Sequence, residues 1–290
     1  MANLNLKNAR SNKNDEFYTL LADIENELKW YKTHFKNKIV YCNCDNPLDS
    51  NFVKFFQAKF HDYGLKKLIA THYVSAALTT TKLEMTSADE CKITEILGDG
   101  SYSSPASIQL LQEADIVVTN PPFSLFREYT STLLRYQKSF LLIGSMNAIT
   151  YKQIFPLLKD DLLWLGVNNV NRFLQPDGSF KKFGNICWFT NIEHYKRNTP
   201  ILLYKKYSDE YKQYENCDAI EVSKVKNIPL DYSGPMGVPI SILTKYCPDQ
   251  FQILGLDDHT VPWRGKGPEL DGKILYRRLI IKHKVKENED

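Results

Sequence analysis

The sequence lacks the features that mark membrane, secreted and metal-binding proteins. Its longest apolar runs are strand-sized, well short of the roughly 18 to 20 apolar residues that span a bilayer. The N-terminal segment MANLNLKNARSNKND has no apolar stretch of the kind found in a secretory signal. The 6 cysteines form no CxxC pair, and no histidine lies at zinc-finger spacing from them. These absences predict a cytoplasmic protein with reduced thiols, no membrane association and no bound metal.

Glycine and proline are also scarce, at 13 residues each in a chain of 290. Together with 43% hydrophobic and 24% charged residues, this excludes the collagen-like, low-complexity and disordered classes. The length permits one large domain, or a catalytic domain and a smaller one. Aromatic residues are plentiful at 12%, which suits both a large core and a surface that stacks flat ligands.

Positive charge is clustered rather than abundant. The 37 Lys and Arg exceed the 34 Asp and Glu by only +3. The clusters lie at 1–14, at 195–214 among 5 tyrosines, and at 264–286. Cations interleaved with aromatic residues are typical of surfaces that contact a phosphate backbone, although each cluster alone is equally typical of a solvated face.

The first two thirds of the chain alternate between strand-like and helix-like segments. Apolar runs predict strands at 38–44, 68–74, 116–119, 140–145, 162–167 and 186–190, and helical periodicity predicts helices at 15–35, 50–60, 124–137 and 151–158. This alternation predicts βαβ units and a mostly parallel sheet, an α/β fold. The polar, glycine-containing segment 172–183 is predicted to be a loop that orders on DNA. From about residue 195 to 290 the composition favours a smaller, irregular, mostly β region, with a strand at 273–285.

The most informative motif is Asn120-Pro121-Pro122-Phe123, which directly follows the apolar strand 116–119. Strand ends of this kind are where ligands bind in open α/β sheets. Proline fixes its own φ, keeps the preceding residue extended and has no N–H, so the loop presents hydrogen-bond acceptors. The amine of an extruded base can donate to the Asn120 side chain and the Pro121 carbonyl while its ring stacks on Phe123.

Two acceptors on one amine draw its nitrogen toward sp³ geometry and localise the lone pair toward a methyl donor. A sulfonium donor has an excellent leaving group, so positioning can supply much of the rate without a strong general base. The motif therefore favours methyl transfer to an amino group. The same motif also serves methylation of glutamine amides and of bases in RNA.

Several stretches besides this motif resemble the EcoRI-type adenine-specific DNA methyltransferases. The similar stretches are Asp15 to Thr19, Asp23 to Leu28, Ile39 to Pro47, Ser50 to Phe52, Thr119 to Tyr129, Ile149 to Lys152 and Trp164 to Val167. The resemblance covers residues 15–192 well and the remainder more loosely. Together these stretches are far more specific than the Asn-Pro-Pro-Phe motif alone.

The resemblance implies a Rossmann-like methyltransferase domain over 1–194 and a target-recognition, DNA-binding region over 195–290. It implies S-adenosylmethionine as the methyl donor and N6 of adenine in double-stranded DNA as the acceptor. The implied catalytic loop consists of Asn120, Pro121, Pro122 and Phe123. The implied donor-binding residues are Phe17, Tyr18, Thr19, Cys42, Asp45, Pro47, Asp99 and Asn120, with Asp45 the foremost polar contact and Asp99 near the adenine. The candidate DNA contacts are Lys205, Lys206, Trp263, Arg264 and Lys266.

Two departures from common methyltransferase patterns leave the donor site partly open. The first strand is followed by Cys-Asn-Cys-Asp-Asn-Pro with no glycine-rich turn. The strand 68–74 ends without the acidic residue that usually binds ribose hydroxyls, and Glu84, Asp89 and Glu90 are candidates only by their proximity in sequence.

Two other readings remain at this point. One is a methyltransferase acting on an RNA base or a protein glutamine, and the other is a catalytically silent DNA-binding protein on a methyltransferase fold. DNA adenine methylation, the function that the resemblance implies, predicts a monomeric enzyme. It also predicts that the protein comes from a prokaryote or a phage. Its endonuclease, if it has one, is a functional rather than a physical partner, as in restriction-modification.

Overall fold

The computed structural model describes residues 18–175, 178–256 and 267–284. The chain divides into two units: unit 1 is Met1–Ala148 with Leu165–Glu193, and unit 2 is Ile149–Trp164 with His194–Asp290. Within the described ranges, no helix is long and apolar enough to cross a bilayer. All 6 cysteines are free thiols.

Unit 1 is built on one large sheet. Its strands are β1 Tyr18–Thr19, β2 Ile39–Cys42, β3 Lys67–Thr71, β4 Thr79–Ser87, β5 Glu90–Leu97, β6 Ile116–Thr119, β7 Ser139–Ser145, β8 Trp164–Leu174 and β9 Phe180–Thr190. Its helices are α1 Leu21–Leu28, continued by a 3-10 helix Lys29–Phe35, α2 Asn51–Ala58, α3 Pro105–Glu113 and α4 Phe126–Arg135. The strand order is β1-β8-β9-β7-β6-β2-β3-β4-β5.

The sheet is mixed rather than mostly parallel, so that prediction is wrong for the outer strands. The central strands β7, β6, β2 and β3 are mutually parallel. The flanking pairs β3–β4, β4–β5, β7–β9 and β1–β8 are antiparallel. Antiparallel neighbours need only a short turn, whereas parallel neighbours need a crossover that is usually helical. The hairpins β4–β5 and β8–β9 therefore extend the parallel centre on both sides.

Burial explains why the central segments fold as they do. Every residue of β2 and β6 is buried, and strands covered on both faces read as continuous apolar runs. Helix α2 begins where the Ser50 side chain accepts a hydrogen bond from the Phe52 amide at 3.1 Å. It then buries Phe52, Phe55 and Phe56 against the sheet.

A buried carboxylate covers part of the edge of β8. Glu27 has no exposed surface and accepts from the amides of Val167 and Asn168 at 2.7 Å each and from the Tyr31 hydroxyl at 2.9 Å. Among the described residues, β1 pairs only with the last two residues of β8, and Glu27 accepts from the β8 amides that this pairing leaves uncovered. A Cβ at Gly166 would collide with the Glu27 carboxylate, and glycine therefore permits this close approach.

The described residues of unit 2 form short strands and one α-helix, α5 Phe155–Lys159. Its strands are β10 Ile220–Glu221, β11 Met236–Pro239, β12 Phe251–Leu256, β13 Glu269–Leu270, β14 Lys273–Ile274 and β15 Arg278–His283. Four of them form a sheet in the order β10-β11-β15-β12, and β13 pairs with β14. No α-helix occurs in the described residues of 194–256 and 267–284, which agrees with the irregular β composition.

An ion pair joins strands on the two sides of β11. The Arg278 guanidinium donates to both oxygens of Glu221, at 2.8 and 3.0 Å, and the Tyr214 hydroxyl donates to the same carboxylate. A Cβ at Gly237, on the intervening strand, would collide with the Tyr214 ring. Bidentate arginine–carboxylate pairing in a largely buried setting fixes the strands in register.

Candidate active site

The strand order of unit 1 creates one crevice at its carboxyl edge. Strands β2 and β6 are parallel neighbours, but the chain continues from β2 to β3 on one side and from β6 to β7 on the other. This reversal is the point where open α/β sheets bind ligands. The loop 43–50 follows β2 there, and the Asn120-Pro121-Pro122 segment follows β6.

Asp45 ties three strand ends together at this crevice. The Thr119 hydroxyl donates to Asp45 Oδ2 at 2.5 Å, and the Ser50 hydroxyl donates to Oδ1 at 2.8 Å. The Cys44 amide in turn donates to Thr119 Oγ1 at 3.2 Å. The Asp45 amide donates to the Thr71 carbonyl at the end of β3, at 3.1 Å. The predicted donor-site residue is thus bonded directly to the residue that precedes Asn120.

The environment of Asp45 is unusual for a carboxylate. The residue is 7% exposed, and burial raises the pKa of Asp45 to about 6, although the hydrogen bonds from Thr119 and Ser50 lower it. Near pH 7 the side chain is largely ionised and is held by two hydroxyl donors.

Asn43, two residues earlier, presents a buried amide that the sequence did not single out. It is 1% exposed, and its Oδ1 accepts from the Tyr129 hydroxyl of α4. The Tyr129 ring packs edge-on against Tyr102, with centroids 5.1 Å apart. The Asn43 Nδ2 has no hydrogen-bond partner among the described residues. A buried donor left unpaired costs about 1–3 kcal/mol, so such groups are commonly found where a ligand supplies the acceptor.

The Asn-Pro-Pro-Phe loop has the extended geometry that its prolines dictate. Asn120 is half-buried, Pro121 is buried and Pro122 is exposed. Pro122 has φ −54° and ψ 126°, and a single 3-10 turn, Phe123–Leu125, follows it and leads into α4. Phe123 is partly buried against the main hydrophobic core. The core therefore supports one side of the ring at the exit of β6.

Tyr18 and Thr19, the described part of the predicted N-terminal donor motif, lie at the same edge of the sheet. The Thr19 carbonyl accepts from Asn51 Nδ2 at 2.8 Å, and Asn51 is the first residue of α2, directly after the loop that holds Asp45. Thr19 is buried, and its hydroxyl has no partner among the described residues. Tyr18 pairs beside it in β1. Phe17 lies outside the described residues.

Asp99 is held beside the end of β3. The Val74 amide donates to the Asp99 carbonyl at 2.8 Å. A Cβ at Gly100, where φ is +71°, would collide with the carbonyl of His72. Glycine is therefore required for the turn to approach the chain as it leaves β3. The carboxyl ends of β2 and β3 are adjacent, so Asp99 belongs to the same edge as Asp45.

The remaining candidates are placed less centrally. Cys42 ends β2 and Pro47 lies in the following loop, both buried. The ribose candidate Glu84 forms ion pairs with Lys67 at 2.5 Å and Lys82 at 2.6 Å. Lys67 begins β3, so Glu84 lies toward the amino edge of the sheet, opposite the crevice. Asp89 and Glu90 lie at the β4–β5 turn beyond it, so proximity in sequence was a poor guide for all three.

The candidate DNA contacts divide between described and undescribed parts of the chain. Lys205 and Lys206 are exposed in unit 2, and neither forms an ion pair with another described residue. Trp263, Arg264 and Lys266 lie outside the described residues.

Comparison with known proteins identifies the family of the chain. The chain matches the family described as "Adenine-specific methyltransferase EcoRI" over residues 5–284, and it belongs to that family. The resemblance inferred from the sequence motifs is therefore confirmed.

Among curated relatives, the chain is 40% identical over 321 residues to Type II methyltransferase M.EcoRI of Escherichia coli, covering 96% of each chain. It is 40% identical over 314 residues to Type II methyltransferase M.MpnI of Mycoplasma pneumoniae, covering 95% of this chain and 97% of the relative. It is 37% identical over 316 residues to Type II methyltransferase M.MgeORF184P of Mycoplasma genitalium. No solved structure matches the chain significantly.

Proposed function

We propose that the protein transfers a methyl group from S-adenosylmethionine to N6 of an adenine flipped out of duplex DNA. The observation that carries the proposal is the Asn120-Pro121-Pro122-Phe123 loop at the switch point, anchored to Asp45 through Thr119. Membership of an adenine-specific methyltransferase family supports the adenine acceptor. Relatives named as type II methyltransferases support a DNA substrate and a role in restriction-modification.

The residues at the crevice fit a methyl donor of this kind. Asn43 Nδ2 and Thr19 Oγ1 are buried polar atoms without partners among the described residues, and both can donate to an amino-acid carboxylate. Asp45 supplies negative charge at the same edge, suited to a cationic group. When bound there, S-adenosylmethionine supplies a methyl group on a sulfonium sulfur, and this sulfur becomes a neutral thioether once the methyl group is transferred.

On the acceptor side, the loop holds the amine that is methylated. Asn120 Oδ1 and the Pro121 carbonyl each accept one N–H of adenine N6, while Phe123 stacks on the extruded ring, a contact worth about 1–3 kcal/mol. These bonds orient the nitrogen lone pair toward the methyl group. As the new N–C bond forms, N6 gives up one proton to solvent.

Target recognition falls to residues 195–290. Lys205 and Lys206 offer exposed positive charge there. Tyr207 stacks on Tyr232, with ring centroids 4.7 Å apart and planes at 25°. Cations beside stacked aromatic rings suit a nucleic-acid surface.

The proposal is tested by incubating the purified protein with unmethylated plasmid and S-adenosylmethionine, then sequencing single long molecules for modified bases. N6-methyladenine confined to one short motif is the expected result, with Asn120→Ala as the inactive control. Donor binding without any modified adenine would contradict the proposal. Parallel reactions with RNA and with glutamine-containing protein would then identify another acceptor, and no product on any of them would indicate a silent binder.

A further inference from the structure

The β8–β9 hairpin extends well past the carboxyl edge of the sheet. The last residue of β7, Ser145, pairs with Ile186 of β9. Because β9 is antiparallel to β7, Phe180–Asn185, the first six residues of β9, continue beyond that edge. At about 3.3 Å per residue they correspond to roughly 20 Å of chain. The segment predicted to be a loop, 172–183, is thus largely two paired strands projecting on the side of the crevice.

One face of this projecting hairpin packs against the rest of unit 1. Phe183 packs edge-on against Phe173, with centroids 5.6 Å apart, and against the main core. Asn185 Nδ2 donates to the Ser145 hydroxyl at 3.2 Å, which ties the hairpin to the end of β7. The projection therefore has a fixed base and a fixed inner face.

The opposite face is basic and partly aromatic. Arg172 is exposed, and its guanidinium lies 5.8 Å from the ring centroid of Phe180, which is 58% exposed. Lys182, two residues along β9, is exposed and forms no ion pair with any described residue. Between residues 168 and 185 the sequence holds three cations and a single acid, Asp177. The Asp23 carboxylate of α1 interacts electrostatically with Arg172, so Arg172 and Lys182 together still leave this face with net positive charge.

We propose that the outer face formed by Arg172, Phe180 and Lys182 binds the phosphate backbone of duplex DNA next to the flipped adenine. The inference rests on the proposed function and adds a DNA contact within unit 1. The face projects from the same edge as Asn120 and carries net positive charge, so a strand that delivers its base to the crevice passes a complementary surface. Arginine can bind a phosphate with two donors, and lysine supplies a point charge.

The test compares two double variants that remove equal charge. Arg172→Ala with Lys182→Ala alters the hairpin face. Lys36→Ala with Lys66→Ala removes two exposed cations that precede β2 and β3, at the opposite edge of the sheet. Duplex binding is measured from 50 to 200 mM salt. Melting temperature and direct binding of S-adenosylmethionine are measured on every protein.

Each phosphate contact contributes about 0.9 to the slope of log K against log salt concentration. For the hairpin variant, we expect the magnitude of this slope to fall by nearly 2. We also expect this variant to bind duplex DNA at least tenfold more weakly at low salt. The control variant should stay within twofold of wild type, and both should bind donor normally. Charge reversal by Lys182→Glu alone should weaken binding further than Lys182→Ala.

The possible outcomes distinguish a failure of the hairpin contact from a failure of the proposed function. An unchanged slope and affinity in the hairpin variant, with a wild-type protein that methylates plasmid DNA, would overturn the hairpin contact and leave the proposed function intact. A wild-type protein that neither binds nor methylates duplex DNA would overturn both. Equal losses in the two double variants would show a general charge effect and would also overturn the hairpin contact.

Discussion

The hydroxyl of Thr119 donates a hydrogen bond to the carboxylate of Asp45, with the two oxygens 2.5 Å apart. Thr119 is the last residue of β6 and directly precedes the Asn-Pro-Pro-Phe loop, whereas Asp45 belongs to the loop after β2. The proposed acceptor and donor sides of the crevice are therefore joined by one short hydrogen bond. Methyl transfer depends on the relative placement of donor and acceptor, and displacements near 1 Å can cost about a hundredfold in rate.

Replacing Thr119 tests this link. Thr119→Val keeps the shape of the side chain but leaves the Cys44 amide and one Asp45 oxygen without their partner. We expect a loss of about 1–3 kcal/mol in the free energy of unfolding and a single-turnover methylation rate lower by about a hundredfold. Thr119→Ser restores the hydroxyl and should recover most of the rate. Wild-type rates in Thr119→Val, measured by rapid quench, would show that the bond does not position the loop.

The raised pKa of Asp45 predicts a dependence of stability on pH. Folding raises the pKa from 3.8 to about 6, so the folded state binds this proton more tightly than the unfolded state. The resulting stabilisation is full below pH 4 and is lost as the pH rises through 6. The free energy of unfolding of wild type relative to Asp45→Asn should therefore increase by about 1.4 kcal/mol from pH 8 to pH 5. Urea denaturation of both proteins measures it, and a difference that is constant or opposite in sign would contradict the assignment.

Glu27 is expected to be essential for stability and not for chemistry. In Glu27→Gln an amide NH₂ faces donors from Val167, Asn168 or Tyr31, so we expect a loss of about 3 kcal/mol in the free energy of unfolding. Glu25→Gln, on the exposed side of the same helix, should stay within about 0.5 kcal/mol of wild type. Equal effects of the two substitutions in chemical denaturation would rule out the edge-covering role of Glu27.

Asn43 is expected to bind the methyl donor directly. Asn43→Asp replaces the unpaired amide donor with an acceptor, so the dissociation constant for S-adenosylmethionine should rise at least tenfold, or about 1.4 kcal/mol. Asn46→Asp makes the same atomic change in the same loop and serves as the control, with an expected change below threefold. Isothermal titration calorimetry gives both values, and an unaltered affinity in Asn43→Asp would exclude the contact.

The parallel centre of the sheet could be read from the sequence because its strands are buried on both faces. The run 116–119 matches β6, and the adjoining Pro-Pro step marks where it ends. The carboxyl-edge location of Asp45 and Asp99 also follows from simple topology. Hydrophobic periodicity and proline chemistry are local signals, so they identify local structure well.

The β4–β5 hairpin was missed although its sequence carries a local signal. Polar and apolar residues alternate at 82–86 and at 90–94, but nearly every residue of β5 is exposed, so the apolar positions of that strand do not face a core. In 172–183 the polar composition concealed the end of β8, which pairs with β1, and the start of β9, which continues beyond β7. Glu27 and Asn43 acquire their roles through residues far away in sequence, at 167–168 and at Tyr129. Such roles become visible only in three dimensions.

Single-turnover methylation of a duplex oligonucleotide containing the mapped target, by wild type and by Asn120→Ala, measures the role of the loop in methyl transfer. We expect Asn120→Ala to bind S-adenosylmethionine within threefold of wild type but to form N6-methyladenine at least a thousandfold more slowly, because the amine loses an acceptor that acts in the transition state. A wild-type rate in this variant would show that Asn120 does not hold the amine during methyl transfer.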